Sequence, residues 1–279
     1  MQSFRPQGMG VLPTAVKWIL IINVVLFLVT QLLQQSGVNI EEYLAIYYPA
    51  SRYFIITQFV THLFMHGSFM HLISNMFALF IFGAVLENVW GSKRFVQFYF
   101  YCGIGAAIVH LGMQWWEFSQ LKNAIDQLGD APTYDIFIRF YNKHIANKGF
   151  SYEYMSLIDN VKDSWANNMN DTTPYARLAP AINMMYEMQM NVPTVGASGA
   201  VFGMLMAFGM MFPNTMIYIY FLFPIKAKYI VFLYGAFELY NAMQYNPADN
   251  VAHFAHLGGM LFGFVIVTIW NRTQRNKLF

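Results

Sequence analysis

Long apolar stretches with almost no charge constrain this chain more than any other feature. They fill six windows, at residues 17–33, 71–89, 95–116, 197–212, 229–243 and 251–270. A membrane-spanning helix needs about 20 predominantly apolar residues, with about 17 as the usual lower limit, so the fourth and fifth windows are short. Only 11% of the residues are charged, against about 25% in soluble domains. The sequence therefore predicts an all-α membrane protein, a bundle of six transmembrane helices.

Charged residues flank these windows asymmetrically, and the asymmetry predicts the orientation. If the N-terminus is cytoplasmic, the inner segments carry nine bases, which are Arg5, Lys17, Lys93, Arg94, Lys226, Lys228, Arg272, Arg275 and Lys277. Most acidic residues then lie outside. Cytoplasmic loops carry an excess of Lys and Arg, so we expect both termini in the cytoplasm. Because topology explains the bases, the net charge of +2 says little about partners. We expect the lipid bilayer as partner and no nucleic acid, and the sequence does not indicate an oligomeric state.

The windows divide the chain into five parts. We predict a cytoplasmic arm, three spans with an outer loop at residues 36–66, an extracytoplasmic insertion, three further spans, and a cytoplasmic tail. Their bounds are residues 1–16, 17–116, 117–191, 192–270 and 271–279.

The insertion at residues 117–191 contains no apolar run long enough to span a membrane. It is net acidic, and it is joined to the fourth window by only a few residues. Periodic apolar positions predict two or three short helices, for example at 134–145 and 181–190. Loops of this length are usually either functional or disordered, so a small subdomain and a partly disordered segment both remain open.

A serine between glycines, Gly196-Ala-Ser198-Gly199, stands at the beginning of the fourth window. Glycine permits a sharp turn, and the first turn of a helix leaves backbone N–H groups free. An exposed hydroxyl beside such donors has what an acyl-transfer nucleophile needs. Alone, the motif is explained more simply as helix packing, because Gly199 and Gly203 lie on one helix face.

Other polar residues fall at the same depth as this serine. With six spans, the second, fourth and sixth run inward, and their outer ends carry His71, Asn75, Ser198, His253 and His256. Intramembrane polar groups are costly and often functional. These residues therefore form one candidate site near the outer surface.

Close packing would assemble this site. Gly259 and Gly263 repeat on the sixth span the spacing seen on the fourth, so the two helices can approach closely. His256 would then reach Ser198 as its general base. Asn75 would donate to an oxyanion together with the Ser198 N–H and His71. No Asp or Glu lies near the outer end of another inward span, so we predict a Ser-His dyad and not a triad.

These motifs resemble those of the rhomboid intramembrane serine proteases, in their basic six-span bacterial form. The matching elements are Gly196-Ala-Ser198-Gly199, Ala255-His256 with Gly259 and Gly263, His66-Gly-Ser-Phe-Met-His71-Leu-Ile-Ser-Asn75, and Glu87-Asn-Val-Trp-Gly91. The resemblance implies an endopeptidase that cuts protein substrates in or next to their transmembrane helix, with the serine attacking and the histidine acting as base and then acid. It also implies that Phe202 packs on His256 and that no cofactor is needed. We expect a bacterial cytoplasmic membrane, with the site opening to the outer side.

Two features depart from the family pattern. The outer loop has Thr57-Gln58 about where many bacterial members carry a Trp-Arg pair, and the insertion is far longer than expected. The first departure concerns the loop and not the chemistry. The second leaves open whether the insertion recruits substrates or shields the site.

Three other functions compete with the protease. A metal-dependent membrane enzyme could use the histidines His62, His66, His71, His253 and His256, but no His-Glu-x-x-His occurs and no carboxylate joins the set, so we expect no metal. A catalytically silent rhomboid-like protein that binds transmembrane helices would be expected to lack Ser198 or His256. Glu238 could serve a transporter's proton path, but no inverted repeat is evident, and a lone acid more often hydrogen-bonds locally.

Overall fold

The computed structural model describes residues 12–146, 148–219, 223–244 and 251–275. Its helices are α1 (Thr14–Gln35), α2 (Glu41–Leu44), α3 (Gln58–Thr61), α4 (Phe69–Ala78), α5 (Ala84–Trp90), α6 (Ser92–Asp130), α7 (Tyr134–His144), α8 (Tyr152–Ala166), α9 (Thr173–Met190), α10 (Ser198–Met211), α11 (Ala227–Met243) and α12 (His253–Arg275). Two short strands, β1 (Met216–Ile219) and β2 (Phe223–Lys226), form an antiparallel hairpin in which Met216 pairs with Lys226. Most of the predicted arm (residues 1–11), the end of the tail (276–279) and the turn at 246–250 lie outside the described residues.

Four helices in the described part of the chain are long and apolar enough to cross a membrane. They are Thr14–Gln35, Phe69–Trp90, Ser92–Asp130 and His253–Thr273. The second consists of α4 and α5 joined by a π-helical turn at Leu79–Gly83. The fourth and fifth predicted spans are the shorter helices α10, of 14 residues, and α11, of 17 residues. The chain is thus an all-α membrane bundle, with the hairpin between α10 and α11.

Helix α10 lies at the centre of the bundle, packed against α6 and α12. The backbones of α10 and α12 touch, because a Cβ at Gly259 would overlap the carbonyl of Gly199, and a Cβ at Gly263 would lie 2.6 Å from the Gly203 oxygen. Without water to drive association, helices in a membrane are held by such close packing. The predicted glycine faces therefore meet.

Glu87, a buried carboxylate on α5, connects three helices, α1, α5 and α6. Glu87 is 3% exposed and accepts hydrogen bonds from the backbone N–H groups of Ala15 and Val16, both at 2.8 Å. It also accepts one from the Ser92 hydroxyl at 2.6 Å. The first turn of a helix has N–H groups without intrahelical partners, so Glu87 caps α1 and fixes it beside α5 and α6.

The third predicted span does not end as a helix at Trp116. Helix α6 continues unbroken to Asp130, because Leu121, Ile125 and Leu128 repeat at helical spacing and pack against α7, α8 and α9. The third apolar window ends at residue 116 because hydropathy falls there, but apolar residues continue at helical spacing beyond it. The insertion is therefore a helical subdomain with its own apolar core and not a partly disordered segment.

The helices of the insertion agree in part with the prediction. Helix α7 (Tyr134–His144) matches the predicted helix at 134–145 within one residue, whereas α9 (Thr173–Met190) begins well before residue 181. Helix α9 contains Pro180, and proline normally ends or kinks a helix, so the sequence pattern is interrupted there. Helix α8 (Tyr152–Ala166) had no specific prediction.

Gln58 organises the outer loop. Its side chain is fully buried; the amide nitrogen donates to the Tyr53 carbonyl at 2.8 Å. Its oxygen accepts from the Ile55 N–H at 3.1 Å and the Tyr47 N–H at 3.4 Å. Buried polar groups are costly unless hydrogen-bonded, and Gln58 is paired with these three backbone groups and, at 3.5 Å, with the carbonyls of Glu42 and Tyr43. Gln58, which stands about where the resemblance predicts part of a Trp-Arg pair, thus forms the centre of the loop.

Candidate active site

The turn before Ser198 can be made only by glycine at position 196. Gly196 has φ +127°, a backbone conformation that other residues rarely adopt. A Cβ there would also lie 2.8 Å from Cε1 and Nε2 of His71. Ser198 follows as the first residue of α10, and its Oγ would lie 3.7 Å from the same Cβ, so Gly196 separates the serine from the His71 ring.

The outer loop and α6 hold this turn in place. Ile46 and Thr194 exchange two backbone hydrogen bonds, and the Gly196 N–H donates to the His62 carbonyl at 2.9 Å. His110 Nε2 is hydrogen-bonded to the Thr194 hydroxyl at 3.0 Å. Sequence reasoning missed Ile46, His110 and Thr194, since no local pattern signals a contact between segments so far apart in the chain.

Ser198 and His256 lie within hydrogen-bonding distance. The distance between Ser198 Oγ and His256 Nε2 is 2.9 Å. Phe202, one turn along α10 from the serine, stacks on the imidazole with ring centroids 4.1 Å apart and an interplanar angle of 10°. His256 is 8% exposed. The histidine is therefore fixed against Phe202 with one ring nitrogen directed at the hydroxyl.

Glu238 of α11 occupies the other side of the imidazole. Its Oε2 lies 3.0 Å from His256 Nδ1 and accepts a hydrogen bond from His253 Nδ1 at 2.6 Å. The His256 Nδ1 contact is short, but its N–H direction does not satisfy hydrogen-bond geometry. We therefore describe it as an electrostatic contact between carboxylate and ring.

This contact corrects one expectation from the sequence. We expected no carboxylate near the histidines, but Glu238 meets both His253 and His256. The expectation of a Ser-His dyad concerned acids on inward-running spans, and Glu238 lies on an outward one. The end of α11 and the beginning of α12 are neighbours because the two helices are consecutive and antiparallel, so an outward span also delivers an acid to this site.

The predicted oxyanion donors lie on α4. The His71 ring borders Gly196 and contacts the His66 ring at 5.1 Å between centroids. Asn75, one turn further along α4, is 5% exposed, and its Nδ2 has no hydrogen-bond partner among the described residues. A buried donor without a partner costs about 1–3 kcal/mol, so Asn75 carries its unpaired amide at the expense of stability.

The five histidines of the competing metal-site interpretation are divided in the structure. Within the described residues, one group could hold a metal ion, formed by Glu238, His253 and His256, with ligand atoms within 4.8 Å of one another. His62 lies in the outer loop, where its Nδ1 donates to the Gln58 carbonyl at 2.7 Å. Burial lowers the pKa of His62 to about 4, so this side chain is neutral near pH 7.

A comparison with protein families assigns the chain to one of them. The family model of the rhomboid domain matches residues 54–115 and 175–273, which is more than half of the chain. The chain belongs to the rhomboid family. The two matched segments are separated by residues 116–174, which make up most of the insertion.

Curated relatives of this rhomboid protein come from several eukaryotes. It is 36% identical over 92 residues to Rhomboid-like protein 11, chloroplastic, of Arabidopsis thaliana, covering 33% of this chain and 31% of that protein. It is 28% identical over 109 residues to Rhomboid-like protease 3 of Toxoplasma gondii, covering 38% and 41%. An uncharacterized mitochondrial rhomboid protein of Schizosaccharomyces pombe is 24% identical over 229 residues, covering 76% and 51%. The chain thus spans about half or less of the length of each of these relatives.

The names of these relatives can be compared with the membrane predicted from the sequence. This rhomboid protein is an integral, multi-pass membrane protein by its family and its four apolar helices. Two of the relatives are named chloroplastic and mitochondrial. The expectation of a bacterial cytoplasmic membrane is therefore not supported.

Proposed function

We propose that this rhomboid protein is an intramembrane serine endopeptidase that cleaves membrane-spanning proteins in or next to their transmembrane helix. The observation that carries the proposal is the 2.9 Å distance between Ser198 Oγ and His256 Nε2. This pair occurs at the N-terminus of a helix surrounded by apolar helices. A nucleophile within hydrogen-bond reach of a base is the arrangement that covalent catalysis requires.

In the first half of the reaction, Ser198 attacks the scissile carbonyl while its hydroxyl proton passes to His256 Nε2. The carbonyl oxygen becomes an oxyanion, which needs donors that are already in place. Those donors are the Ser198 N–H, which is free at the first turn of α10, and the Asn75 amide, whose Nδ2 has no other partner within the described residues. His71 stands beside them at Gly196.

In the second half, His256 gives its proton to the leaving amine as the peptide bond breaks, and an acyl-enzyme remains on Ser198. Water then attacks the ester, loses a proton to His256, and releases the new carboxylate while the proton returns to Ser198. Phe202 keeps the ring in one orientation through both halves by stacking at 4.1 Å. The cycle needs no cofactor.

The side on which the site opens follows from charge. Lys93 and Arg94 lie at the turn between the second and third spans, near Glu87. With six spans, this turn is on the side of the membrane opposite to Ser198. Because positive residues are retained in the cytoplasm or its equivalent compartment, the serine opens to the other side. The insertion, which leads directly into the turn at Gly196, would lie on that same side.

The proposal is tested by mapping a cut. Purified protein in liposomes is mixed with a single-span model substrate that contains helix-breaking residues, and the products are weighed by mass spectrometry. We expect two fragments whose new termini lie in or next to the span, and none with the His256→Ala variant. Substrate that is retained on the protein but never cut would identify a silent helix-binding protein and contradict the proposal.

A further inference from the structure

Glu238 is an ionisable side chain in a membrane-embedded region that the Ser-His chemistry leaves unused. It is 4% exposed and lies on α11, most of whose other residues are apolar. Placing a carboxylate there is costly, and such residues are retained when they are paired and functional. Its two neighbours at hydrogen-bonding distance are His253 and His256.

His253 fixes the position of this carboxylate. The Nδ1–H of His253 donates to Glu238 Oε2 at 2.6 Å, which is short enough for a charge-assisted hydrogen bond. The two histidines are three residues apart, so they lie one turn apart on the same face of α12. The same oxygen therefore faces both rings, and it lies 3.0 Å from His256 Nδ1.

We propose that Glu238 is a positioning residue for the serine protease reaction, which acts through His256 and is itself anchored by His253. This inference rests on the proposed function. The carboxylate favours the His256 tautomer with the proton on Nδ1, which leaves Nε2 free to accept the Ser198 proton. It also stabilises the positive charge that the ring gains when it does so.

The proton balance is simple. The Ser198 proton moves to His256 Nε2, the Nδ1 proton stays on the ring, and Glu238 remains ionised throughout, as the acid of a catalytic triad does. The charge gained by the ring is then 3.0 Å from a fixed negative oxygen. Because that attraction exists only after proton transfer, it lowers the barrier without strengthening substrate binding.

The simpler explanation is that Glu238 only accepts the His253 hydrogen bond and fastens α11 to α12. The two explanations differ in what a neutral isostere does. In Glu238→Gln the side-chain oxygen can still accept from His253, so a fastening role is largely kept, whereas the negative charge beside His256 is lost.

The test compares Glu238→Gln with Glu87→Gln, which makes the same change at a buried carboxylate far from the serine. Both are purified in detergent with EDTA present, so that no metal held by the group of Glu238, His253 and His256 contributes. Cleavage of the model substrate gives kcat and KM, and thermal unfolding gives Tm. We expect Glu238→Gln to lower kcat about tenfold to a hundredfold with KM and Tm little changed, less than the roughly 10⁴-fold loss when a well-aligned triad acid becomes an amide. Glu87→Gln should lower Tm and leave kcat within about twofold, since it weakens only the cap on α1.

A second variant keeps the proposal testable if Glu238→Gln does not fold. Glu238→Asp keeps the charge but moves it away from His256 by the length of one methylene. Its kcat should therefore fall less than that of Glu238→Ala, which removes the charge. A wild-type kcat in folded Glu238→Gln, or a loss confined to KM and Tm, would overturn the inference. Either result leaves the protease proposal intact, because that fails if the wild-type protein cuts nothing or if its cleavage does not depend on Ser198.

Discussion

Ile46 and Thr194 exchange both of their backbone hydrogen bonds, at 3.0 and 2.8 Å, and this bridge ties the outer loop to the segment that delivers Ser198. The Thr194 side chain is bonded as well, to His110 Nε2 at 3.0 Å. The position of the serine therefore depends on α6 and on the outer loop. A mobile outer loop would move the nucleophile, and Gln58 in its centre resists that motion.

We expect Thr194→Val to lower the stability of the protein without preventing substrate binding. The valine keeps the shape and the backbone bridge, but it leaves His110 Nε2 without this partner. Thr194 and His110 are both half-buried, so the loss should lie at or below the roughly 1–3 kcal/mol that a fully buried unpaired polar group costs. The measurement is thermal unfolding in detergent. Thr273→Val is the control, because Thr273 is exposed on α12 and its hydroxyl donates to the carbonyl of Ile269, and exposed changes usually stay within about 0.5 kcal/mol. Equal Tm shifts for both variants would mean that the His110 contact does not hold the turn.

Asn75→Ala should slow cleavage while leaving KM nearly unchanged. An oxyanion donor acts in the transition state, so its loss falls on kcat. One donor is worth roughly a hundred- to a thousandfold in a soluble protease, and we expect less here because the Ser198 N–H shares the task. Asn23→Ala is the control, since Asn23 is also buried in a span but bonds the Ile19 carbonyl. An unchanged kcat in Asn75→Ala would reassign Asn75 to helix packing.

The insertion should govern which substrates reach the site and not the chemistry. Its core residues on α9, including Ala181, Ile182 and Met185, pack within the insertion, so the helix is not part of the membrane bundle. The insertion contacts the outer loop through Asn191, whose side-chain oxygen accepts from the Ser51 hydroxyl at 2.6 Å, and through Phe118, whose ring lies 4.8 Å from that of Tyr48. Replacing residues 119–190 with a Gly/Ser linker should thus preserve cleavage of the model substrate and change selectivity among natural ones. Loop-closure entropy varies slowly with length, so folding should survive.

The opposite outcome for the insertion is equally clear. If the shortened protein unfolds cooperatively near the wild-type temperature but cuts no substrate, including the model one, the insertion belongs to the scaffold of the active site. The bridge between Ile46 and Thr194 would then be too weak to hold the turn by itself.

Chelation should leave cleavage unchanged. Glu238, His253 and His256 could together hold a divalent cation, but the Ser-His mechanism assigns no step to a metal. The measurement is the initial rate with and without EDTA, followed by addition of Zn²⁺. Activity that EDTA abolishes and Zn²⁺ restores would transfer the chemistry to this group and contradict the serine mechanism.

The sequence was informative where function depends on short-range spacing. Glycines four residues apart predict a close-packed helix face, and the faces of α10 and α12 do meet at Gly199 and Gly259. That contact brings Ser198 and His256 together, so the central pair could be predicted. The roles of these residues remain predictions until activity is measured.

Long-range contacts could not be predicted in this way. The bridge between Ile46 and Thr194 joins segments whose local sequences carry no strand signal. The sequence favours a local hydrogen bond for Glu238, as for any lone acid in a span, but it does not identify His253 and His256 as the partners. Hydropathy does not predict the extension of α6 to Asp130, because it indicates where the apolar span ends and not where the helix ends.

The most direct test of the account is the effect of removing one oxygen atom. Ser198→Ala deletes the hydroxyl that lies 2.9 Å from His256, and Ser74→Ala, at an exposed position of α4 next to Asn75, deletes another nearby. Both are reconstituted in liposomes with the single-span substrate, and the initial rate of cleavage is measured. We predict that Ser198→Ala is folded, by its thermal unfolding, and shows no cleavage above background, whereas Ser74→Ala cleaves at the wild-type rate. Cleavage by Ser198→Ala at a substantial fraction of the wild-type rate would contradict the account.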